Sequence, residues 1–484
     1  MADGEQLIEW RQQGASRAAH WDTVAEWHAR HSSWGGYYHR RLEEVYRHIV
    51  PPGARVLELG CGRGDLLAAL CPADGLGVDF SGKMIAAARQ RHPHLRFACA
   101  DAHDLGELAE REGHFEWVVV SDLANDVWDV QRVLQQAHSL CADSGRIVLN
   151  IYSHLWEPLL QAVRAIGLAP PTLEQSWLTL DDLRQLLELS GLQMLRRWQE
   201  VLLPLDIPLL SPLANRYLAK LPPLRWFDLT NLIVARPAPR AAAPALRRVS
   251  VIVPARNEAG NVAEIFRRVP EMGAGTELVF VEGGSTDDTY AAIAAAIAAN
   301  PQRRCQLLRQ PGAGKGDAVR AGFAAASGDM LMILDADLSV MPEDLPRFYA
   351  ALATGHGEFI NGVRLVYPMQ EQAMRFFNLV GNKFFSAAFS WLLGQPIKDT
   401  LCGTKALWRD DYAQLAANRA HFGDFDPFGD FDLIFGAARM SRRIVDIPVR
   451  YRARTYGDTN IQRWRHGWIL LNMVAFAARR IKFI

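Results

Sequence analysis

The stretch RVLELGCGRGDLLAAL, residues 55–70, joins an apolar run to a helical pattern through three glycines. The run RVLEL has the length and composition of a buried strand. Gly60, Gly62 and Gly64 follow it directly, and glycines at such a turn let the backbone bend tightly and approach a ligand closely. The stretch therefore predicts an α/β fold in which a ligand-binding loop follows a strand.

The rest of the first half repeats the alternation of short apolar runs and longer helical patterns. Such alternation predicts a parallel sheet that is covered by helices. We expect strands at 55–59, 76–79, 95–100, 115–121 and 146–151.

Acidic residues stand at the ends of the first three expected strands: Glu58, Asp79 and Asp101. The carboxyl ends of parallel strands face one crevice, where open α/β sheets bind ligands. Asp79 comes about 20 residues after the loop, where a carboxylate can accept hydrogen bonds from ribose hydroxyls. Asp101 can accept one from an adenine amino group. Taken singly, each acid is more simply a helix cap or a solvated surface carboxylate, but three acids at successive strand ends favour a binding site.

These residues resemble a class I S-adenosylmethionine-dependent methyltransferase over about 50–155, and more weakly over 177–235, where antiparallel closing strands are implied. The resemblance implies a Rossmann-like domain with S-adenosylmethionine as its cofactor. The alternative is a nicotinamide dinucleotide site, which fits less well because Gly-Cys-Gly-Arg-Gly lacks the third glycine spacing of that motif. The implied cofactor-binding residues are Glu58, Gly60, Gly62, Gly64, Asp79 and Asp101.

The methyl acceptor is expected near the fourth and fifth strands, where this fold commonly places substrate contacts. His154 follows the fifth strand and is either a base or a structural histidine. Tyr37 and Tyr38 lie in a helical region that could form a lid. The candidates after the fourth strand are Asp122, Asn125, Asp126 and Trp128.

The second half alternates in the same way, with strands expected at 250–254, 277–282, 306–309 and 329–336. The first strand ends in the polar turn with Pro254, Asn257 and Glu258. The second ends at Glu282 in VEGGSTDDT, residues 281–289. A glycine-rich loop with Lys315 then opens a helix, an arrangement that favours anions.

The apolar run MLMILDADLSV, residues 330–340, leads into Asp335 and Asp337. Alternate residues of a strand share a face, so both carboxylates are expected to point the same way. Two carboxylates with few other protein ligands suit Mg²⁺ or Mn²⁺ that is held jointly with a diphosphate. The alternative is a solvated pair at the strand end.

Together with DTLCGTKALWR, residues 399–409, these motifs resemble a family 2 glycosyltransferase of the GT-A fold over about 249–470. The pattern is similar to dolichol-phosphate mannosyltransferases and other polyprenyl-phosphate glycosyltransferases. It implies metal ligands at Asp335 and Asp337. The residues implied to bind the nucleotide-sugar donor are Pro254, Asn257, Glu258, Glu282, Lys315, Asp335 and Arg463.

One departure concerns the nucleobase. The family often has Asp-Asp-Gly-Ser where this chain has Glu282-Gly283-Gly284-Ser285, so one usual base-contacting acid is absent. The segment FGDFDPFGDFDLIFGA, residues 422–437, offers Asp430 and Asp432 as the catalytic base that deprotonates the acceptor. A phosphate acceptor is already anionic and would need no such base, and the alternative for either residue is a helix cap.

Two stretches could touch lipid without spanning a membrane. Residues 374–394 are rich in aromatic side chains, and the apolar C-terminal helix ends in Arg479, Arg480 and Lys482. Residues 439–484 carry eleven basic and two acidic residues, which suit a phosphate or an anionic lipid surface. Packing in the core or in a dimer is the alternative.

The chain has 484 residues, enough for two or three domains. The prolines and alanines of 236–248 indicate a linker between a methyltransferase domain, 1–235, and a glycosyltransferase domain, 249–484. Lys and Arg number 53, as do Asp and Glu, which excludes a strongly basic nucleic-acid binder. The equal totals conceal a difference between the two halves, because the first 240 residues carry 24 basic and 29 acidic residues.

The sequence thus predicts two nucleotide-binding α/β domains in one bifunctional enzyme for methyl transfer and sugar transfer. The expected partners are a nucleotide-sugar and a lipid-linked phosphate acceptor. Scattered cysteines and no recognisable signal peptide predict a cytoplasmic protein, with peripheral contact at the inner membrane surface as a further expectation. The alternatives are a glycosyltransferase with a non-catalytic cofactor-binding module, and a membrane-surface scaffold.

Overall fold

The computed structural model describes residues 17, 19–24, 36–165, 175–239, 246–364, 376–417, 431–452 and 463–483. The chain divides into two compact units. The first runs to Ala238 and also includes the last two residues, and the second runs from Pro239 to Lys482.

The first unit is built on a seven-stranded mixed sheet with the strand order β3-β2-β1-β4-β5-β7-β6. Strands β1 to β5 pair in parallel, whereas β7 pairs antiparallel with both β5 and β6. The strands are β1 (Arg55–Leu59), β2 (Asp74–Asp79), β3 (Arg96–Cys99), β4 (Phe115–Val120), β5 (Cys141–Tyr152), β6 (Leu192–Glu200) and β7 (Thr230–Pro237). This α/β architecture confirms the expected fold, including the antiparallel strands after residue 177.

Helices connect these strands and cover both faces of the sheet. Along β1, Leu57 and Leu59 belong to one hydrophobic cluster and Val56 to another, as the alternation of strand side chains requires. The α-helices are Gly36–Ile49, Asp65–Ala69, Gly82–Arg91, Gly106–Glu112, Val130–Leu140, Glu157–Ala165, Leu180–Leu189 and Leu210–Arg216, and the short 3₁₀ helices are His154–Trp156, Leu218–Lys220 and Leu224–Phe227.

The second unit has its own seven-stranded mixed sheet, in the order β10-β9-β8-β11-β13-β12-β14. Four neighbouring strands, β10, β9, β8 and β11, are parallel, so their carboxyl ends lie along one edge. The strands are β8 (Val249–Ala255), β9 (Thr276–Glu282), β10 (Arg304–Arg309), β11 (Met330–Ile333), β12 (Phe359–Val363), β13 (Lys405–Trp408) and β14 (Ile444–Pro448). β13 is antiparallel to both of its neighbours.

The helices of the second unit pack on this sheet. Helix Lys315–Ala325 lies against β8, and its Gly322 abuts Ile252 so closely that a Cβ would overlap with that side chain. The other α-helices are Val262–Arg268, Thr289–Ala299, Leu345–Ala353, Phe376–Leu393, Arg409–Ala417, Phe431–Arg439 and Arg463–Ala477, with 3₁₀ turns at Ala259–Asn261 and Pro342–Asp344 and a π-turn at Ala478–Lys482.

One local expectation is wrong. The strand before the aspartate pair ends at Ile333, and Asp335 to Asp337 form the turn that follows it. Because these residues are not extended, the alternation of strand side chains does not set the directions of the two carboxylates. The turn itself places them at the carboxyl edge of the parallel strands.

The two stretches that could touch lipid both form helices. In helix Phe376–Leu393 the rings of Phe385 and Phe389 are buried, and Phe389 packs on Phe431 of a neighbouring helix. Part of this helix therefore serves the core of the second unit. Among the described helices, none combines the length and hydropathy that a membrane crossing needs.

Candidate functional site

The glycine loop of the first unit lies at the carboxyl end of β1. Gly60, Gly62 and Gly64 have φ values of 71°, 49° and 75°, a left-handed conformation that side chains disfavour. A Cβ at Gly60 would overlap with Leu123, and one at Gly64 would overlap with Phe97. Gly62 differs, because a Cβ there would meet nothing within 4 Å. The loop is thus packed at its two ends and open at its centre.

Asp79 holds the centre of this loop from the end of β2. Its Oδ2 accepts a hydrogen bond of 2.9 Å from the Gly62 amide, and its Oδ1 accepts one of 2.9 Å from the Ser81 amide. Burial raises the pKa of Asp79, while those two hydrogen bonds act against the rise. The structure therefore brings the expected ribose acid and the expected cofactor loop into direct contact.

Glu58 lies inside the same end of the sheet. Its side chain is 3% exposed, and burial raises its pKa well above the ordinary value, with the charge of Asp79 adding to the rise. Oε2 has no hydrogen-bond partner within the described part of the chain. A buried carboxyl oxygen without a partner is costly. A ligand amino group or a bridging water would remove that cost.

Asp101 stands one strand further along the edge. Its Oδ1 lies 2.6 Å from Nδ1 of His103 and accepts a 2.9 Å hydrogen bond from the His103 amide. Burial alone would raise the pKa of Asp101, but these hydrogen bonds outweigh it and hold the pKa below its ordinary value. His103 Nε2 in turn accepts from the Asp129 amide, so the histidine fixes the carboxylate. Asp101 is therefore held as an anion.

A short helical segment near the N-terminus lies over the same edge of the sheet. The sequence did not indicate this contact. Trp21 donates a 2.7 Å hydrogen bond from Nε1 to Oδ2 of Asp126, and Arg17 lies 3.2 Å from the same carboxylate. Asp22 accepts a 2.5 Å hydrogen bond from the Ser81 hydroxyl. The contacts join residues 59 to 109 positions apart, and no local pattern signals them.

The half-buried Asp122 and the buried Tyr38 form a hydrogen-bonded pair beside the cofactor loop. The Tyr38 hydroxyl donates a 2.8 Å hydrogen bond to Oδ1 of Asp122, and the Asn150 amide donates to the same oxygen at 2.5 Å. Asp122 has a φ of 54°, in the left-handed region. Burial raises the pKa of Asp122, and burial with the nearby Asp122 charge raises that of Tyr38. Tyr38, expected in a lid, is thus buried in the core of the unit with its hydroxyl on Asp122.

The remaining candidates for the methyl acceptor differ in position. Asn125 is buried, donates to the Ser176 carbonyl and accepts from the Tyr152 amide, so it holds the backbone together. Trp128 is half exposed. His154 is exposed and lies 3.1 Å from Glu157, next to the ring of Trp177. The geometry of His154 favours the structural interpretation.

The candidate donor site of the second unit lies at the carboxyl ends of β8, β9 and β11. Asn257 follows β8 with a φ of 57°, and its Oδ1 accepts a 2.8 Å hydrogen bond from the Thr286 amide. Glu258 is buried and accepts a 2.7 Å hydrogen bond from Asn261, while its own amide donates to Thr289. Asn257 and Glu258 therefore tie the turn after β8 to the turn after β9, and Pro254 precedes both within β8.

Glu282 ends β9 and closes the next turn. Its Oε1 accepts a 2.5 Å hydrogen bond from the Ser285 amide. Gly283 passes so close to Gln310 that a Cβ would lie 2.9 Å from Oε1. Gln310 also donates to the Gly314 carbonyl, one residue before Lys315. A side chain in place of Gly283 would therefore displace the Gln310 amide.

Lys315 and Asp335 form an ion pair at the centre of the site. Nζ of Lys315, at the start of its helix, lies 2.6 Å from Oδ1 of Asp335, and both side chains are about one quarter exposed. Gly403 lies against both of them, since a Cβ at that position would overlap with Oδ2 of Asp335 and with Nζ of Lys315. The motif of residues 399–409 therefore forms one wall of the aspartate site.

Asp337 is nearly buried two residues further on, and its Oδ1 accepts a 2.9 Å hydrogen bond from the Ser339 amide. Among the described residues, no group of three or more His, Cys, Asp or Glu side chains could hold a metal. Two carboxylates at one turn still suit Mg²⁺ or Mn²⁺ if donor phosphates supply further oxygens. The residues present fit such an ion on that condition.

A buried ion pair supports the Gly403 wall from behind. Arg364, directly after β12, donates to the Asp399 carboxylate from two guanidinium nitrogens, Nε at 2.8 Å and Nη2 at 2.9 Å. Asp399 is fully buried and also accepts from the Leu401 amide at 3.0 Å. The hydroxyls of Thr400 and Thr404 are buried and have no hydrogen-bond partner within the described residues. The sequence indicated the motif that contains Asp399, but it did not indicate the partner Arg364, because 35 residues separate the two.

Fewer of the described contacts involve the two expected catalytic acids and the expected arginine. Asp432 lies in the first turn of helix Phe431–Arg439, next to the buried Phe431. Asp430 lies outside the described residues. Arg463 begins helix Arg463–Ala477. Neither acid can therefore be assigned to the site by its geometry.

Each unit matches a known protein family. Residues 27–196 match the methyltransferase domain family, and residues 250–413 match glycosyl transferase family 2. The two matches do not overlap. They contain the glycine loop of the first unit and the aspartate pair of the second.

Two similar curated proteins are the undecaprenyl-phosphate 4-deoxy-4-formamido-L-arabinose transferases of Klebsiella pneumoniae and Sodalis glossinidius. The first is 27% identical over 220 residues, which are 45% of this chain and 63% of that protein. The second is 26% identical over 216 residues, 44% of this chain and 62% of that protein. The chain thus spans less than two thirds of the length of these relatives.

Two solved structures are similar to part of this chain. The Mycobacterium tuberculosis glucosyl-3-phosphoglycerate synthase, in complex with Mn²⁺, UDP-glucose and glycerol 3-phosphate, is 23% identical, with a TM-score of 0.36; the match covers 49% of this chain and 80% of that one. The Synechocystis magnesium protoporphyrin IX methyltransferase is 18% identical, with a TM-score of 0.27, over 47% of this chain and 86% of that one. Likeness at these values carries no inference about activity or ligand.

Proposed function

We propose that this chain, which joins a methyltransferase domain to a family 2 glycosyltransferase domain, is an enzyme for two group transfers. The first unit transfers a methyl group from S-adenosylmethionine. The second transfers a sugar from a nucleotide-sugar to a polyprenyl-phosphate acceptor. The observation that carries the proposal is the same in both units, namely that the implied ligand-binding residues converge at the carboxyl edge of parallel strands.

In the first unit, the loop around Gly62 supports the assignment of S-adenosylmethionine as the cofactor. The amide of Gly62 is held by Asp79, and the space beside its Cα is open. Asp79 retains lone pairs for ribose hydroxyls, and Asp101 is held as an anion further along the edge. Glu58 supplies a buried oxygen that lacks a partner within the described residues. S-adenosylmethionine, when bound, supplies an activated methyl group.

The methyl acceptor would approach beside Asp122 and Tyr38. Both groups have raised pKa values and share a hydrogen bond of 2.8 Å. A carboxyl with a raised pKa is better suited to take up a proton than a solvated one. We assign Asp122 the role of orienting or deprotonating the acceptor, and Tyr38 the role of positioning Asp122.

In the second unit, Lys315 and Asp335 would bind the donor diphosphate and its metal ion. Asp335 and Asp337 would ligate Mg²⁺ or Mn²⁺, and the ion would offset charge on the leaving diphosphate. Lys315 would then contact phosphate oxygens from the start of its helix, where backbone amides also favour anions. Asn257, Glu258 and Glu282 would position the nucleoside side of the donor.

The similarity to undecaprenyl-phosphate transferases supports a polyprenyl-phosphate acceptor. Such an acceptor attacks through an oxygen that is already anionic, so the second unit needs no strong base. Asp430 and Asp432 remain candidates for that base only if the acceptor is an alcohol. The basic C-terminal stretch would attract a phosphate headgroup.

The methyl transfer can be tested with methyl-labelled S-adenosylmethionine and a lipid extract. Label is expected in the lipid fraction with the full chain, and not with Asp79→Ala. Asp74→Asn is the matched control, because Asp74 lies at the opposite end of the same strand. If the cofactor binds in calorimetry but no acceptor is labelled, the first unit is a non-catalytic cofactor-binding module.

The sugar transfer can be tested with UDP-, GDP- and dTDP-sugars, Mn²⁺ and undecaprenyl phosphate. One donor is expected to yield a glycolipid, and Asp337→Ala should abolish the product. Asp410→Ala is the control, since Asp410 is an exposed acid elsewhere in the same unit. If Asp337→Ala leaves metal-dependent donor binding and turnover intact, the metal assignment is wrong. If no donor is bound at all, the scaffold alternative is favoured.

A further inference from the structure

The connection between β6 and β7 carries an exposed apolar surface, which we name the apolar platform, residues 205–227. Within the described residues, it holds eleven of the twenty large hydrophobic side chains that are exposed. Leu209 is 80% exposed and Trp226 is 60% exposed. The eleven are Leu205, Ile207, Leu209, Leu210, Leu213, Tyr217, Leu218, Leu221, Leu224, Trp226 and Phe227. An apolar patch of this extent on a soluble domain indicates an interaction surface.

The side of the platform that faces the protein carries only small apolar residues, Ala214 and Ala219, together with three buried polar side chains. Ser211 is fully buried, donates to the Leu205 carbonyl and accepts from the Ile207 amide. Asn215 is fully buried and binds both the amide and the carbonyl of Leu203, at 2.8 and 2.7 Å. Lys220 is buried and forms an ion pair with the buried Glu200.

This arrangement reverses the usual polarity of a surface helix, in which apolar residues face the core. Polar side chains anchor the platform to the domain, and their hydrogen bonds are specific, so the apolar side chains cannot turn inward without breaking them. Exposure of eleven large apolar side chains to water is unfavourable. Their transfer to an apolar environment contributes a favourable free energy of about 25 cal/mol for each Å² of apolar surface removed from water.

The charges and aromatic groups of the platform select the occupant. Its formally charged residues are Asp206, Arg216, Lys220 and Arg225. Asp206 pairs with Arg40 at 2.5 Å, Lys220 is buried with Glu200, and Arg225 faces Asp228, which leaves Arg216 as the cation without an acidic partner among the platform residues. Tyr217 and Trp226 are amphipathic rings of the kind enriched at membrane interfaces. The surface is thus locally cationic in an otherwise acidic half of the chain.

We propose that the apolar platform docks the first unit on the surface of an anionic phospholipid bilayer. The platform adjoins the helix that carries Tyr38, because Asn215 donates to the hydroxyl of the preceding residue, Tyr37. A lipid-borne acceptor could reach Asp122 from that surface, a consequence that rests on the proposed function. Phe483 near the C-terminus touches the edge of the platform, where its carbonyl accepts a 3.0 Å hydrogen bond from Arg216 and its ring packs on Tyr217. The docking itself does not depend on either activity.

The test measures binding of the full chain to vesicles by flotation. Vesicles of phosphatidylcholine with phosphatidylglycerol are compared with pure phosphatidylcholine. The joint variant Leu209→Ser, Leu210→Ser and Leu213→Ser should bind the anionic vesicles at least about tenfold more weakly. The control is Leu159→Ser with Leu189→Ser, which removes two exposed leucines of the same unit outside the platform. Arg216→Gln should weaken binding to the anionic vesicles only.

Circular dichroism and thermal unfolding report whether each variant is folded, separately from vesicle binding and from cofactor binding. If the leucine variant is misfolded, Trp226→Ser with Phe227→Ser provides the second disruption. The proposal is overturned if the full chain ignores anionic vesicles, or if folded platform variants bind them as the unchanged chain does. It is also overturned if the platform variants instead abolish self-association in light scattering, because the platform would then join two copies of the chain.

Discussion

Nζ of Lys315 lies 2.6 Å from Oδ1 of Asp335, one of the two carboxylates assigned to the metal ion. The ammonium group therefore occupies a position beside a prospective metal ligand. When the donor binds, its diphosphate can take over the lysine as a partner and leave Asp335 to the ion. This exchange would couple metal binding to donor binding.

The coupling makes a prediction for Lys315→Gln. Without the donor, Mn²⁺ should bind roughly three- to tenfold more tightly than to the unchanged chain, because a competing cation is removed. With the donor, transfer should fall, because a phosphate contact is lost. Titration of Mn²⁺ by electron paramagnetic resonance measures the first effect. Lys383→Gln, an exposed lysine of the same unit, is the control. Weaker metal binding without donor would contradict the exchange.

Gly403 should be intolerant of even one carbon atom. The Cβ of Gly403→Ala would overlap with Asp335 and Lys315, so both side chains must move. Displacements of this kind cost on the order of 10- to 100-fold in rate. Gly381→Ala is the matched control, since a Cβ there meets nothing within 4 Å. Sugar transfer by folded Gly403→Ala at the unchanged rate would show that the wall does not define the site.

Asp79→Ala should weaken S-adenosylmethionine binding by about 1–3 kcal/mol, because it removes a charged hydrogen-bond acceptor. It also frees the Gly62 amide, which loosens the loop. Isothermal calorimetry gives the change directly, with Asp74→Asn as the control. An unchanged affinity would remove Asp79 from the cofactor site.

Asp228 lies beneath the apolar platform and should make the first unit sensitive to pH. It is 1% exposed, and neither carboxyl oxygen has a hydrogen-bond partner within the described residues. Burial raises its pKa to about 8, although the positive charge of Lys220 opposes the rise and that of Glu200 assists it. In the unfolded chain the pKa is about 3.9. The folded state therefore binds the proton more tightly than the unfolded state does.

The sign of the effect follows from that difference. The contribution of Asp228 to stability is complete below pH ~4 and is lost as the pH rises through about 8. Between pH 6 and pH 9 the unchanged chain should lose roughly 2–3 kcal/mol relative to Asp228→Asn, which has no proton to release. Thermal unfolding of both proteins across this range measures the difference. Parallel pH profiles would place the Asp228 pKa at an ordinary value.

Much of the fold and part of each site could be predicted from local patterns. The run from Arg55 to Leu59, with glycines after it, predicts a strand and a loop, and both are found. The positions of Asp79 and Asp101 at strand ends follow from the same alternation. The directions of the Asp335 and Asp337 carboxylates could not be predicted in this way, because the strand ends at Ile333 and the turn after it sets their orientation.

The rest depends on contacts between residues far apart in the chain. Trp21 reaches Asp126 and Arg364 reaches Asp399 only after the sheets have formed. The platform shows a different limit. Leucines at helical spacing over 209–218 ordinarily predict a core-facing side, and only the buried Ser211 and Asn215 reveal that this segment is turned the other way.

The central claim is that one chain holds two independent group-transfer sites. Calorimetry of the full chain, Asp79→Ala and Asp337→Ala against S-adenosylmethionine, and against nucleotide-sugars with Mn²⁺, tests it most directly. We expect the full chain to bind both ligands, Asp79→Ala to lose affinity only for S-adenosylmethionine, and Asp337→Ala to lose it only for the metal-bound donor. Failure of the unchanged chain to bind either ligand, or retention of full affinity by the matching variant, would contradict the claim.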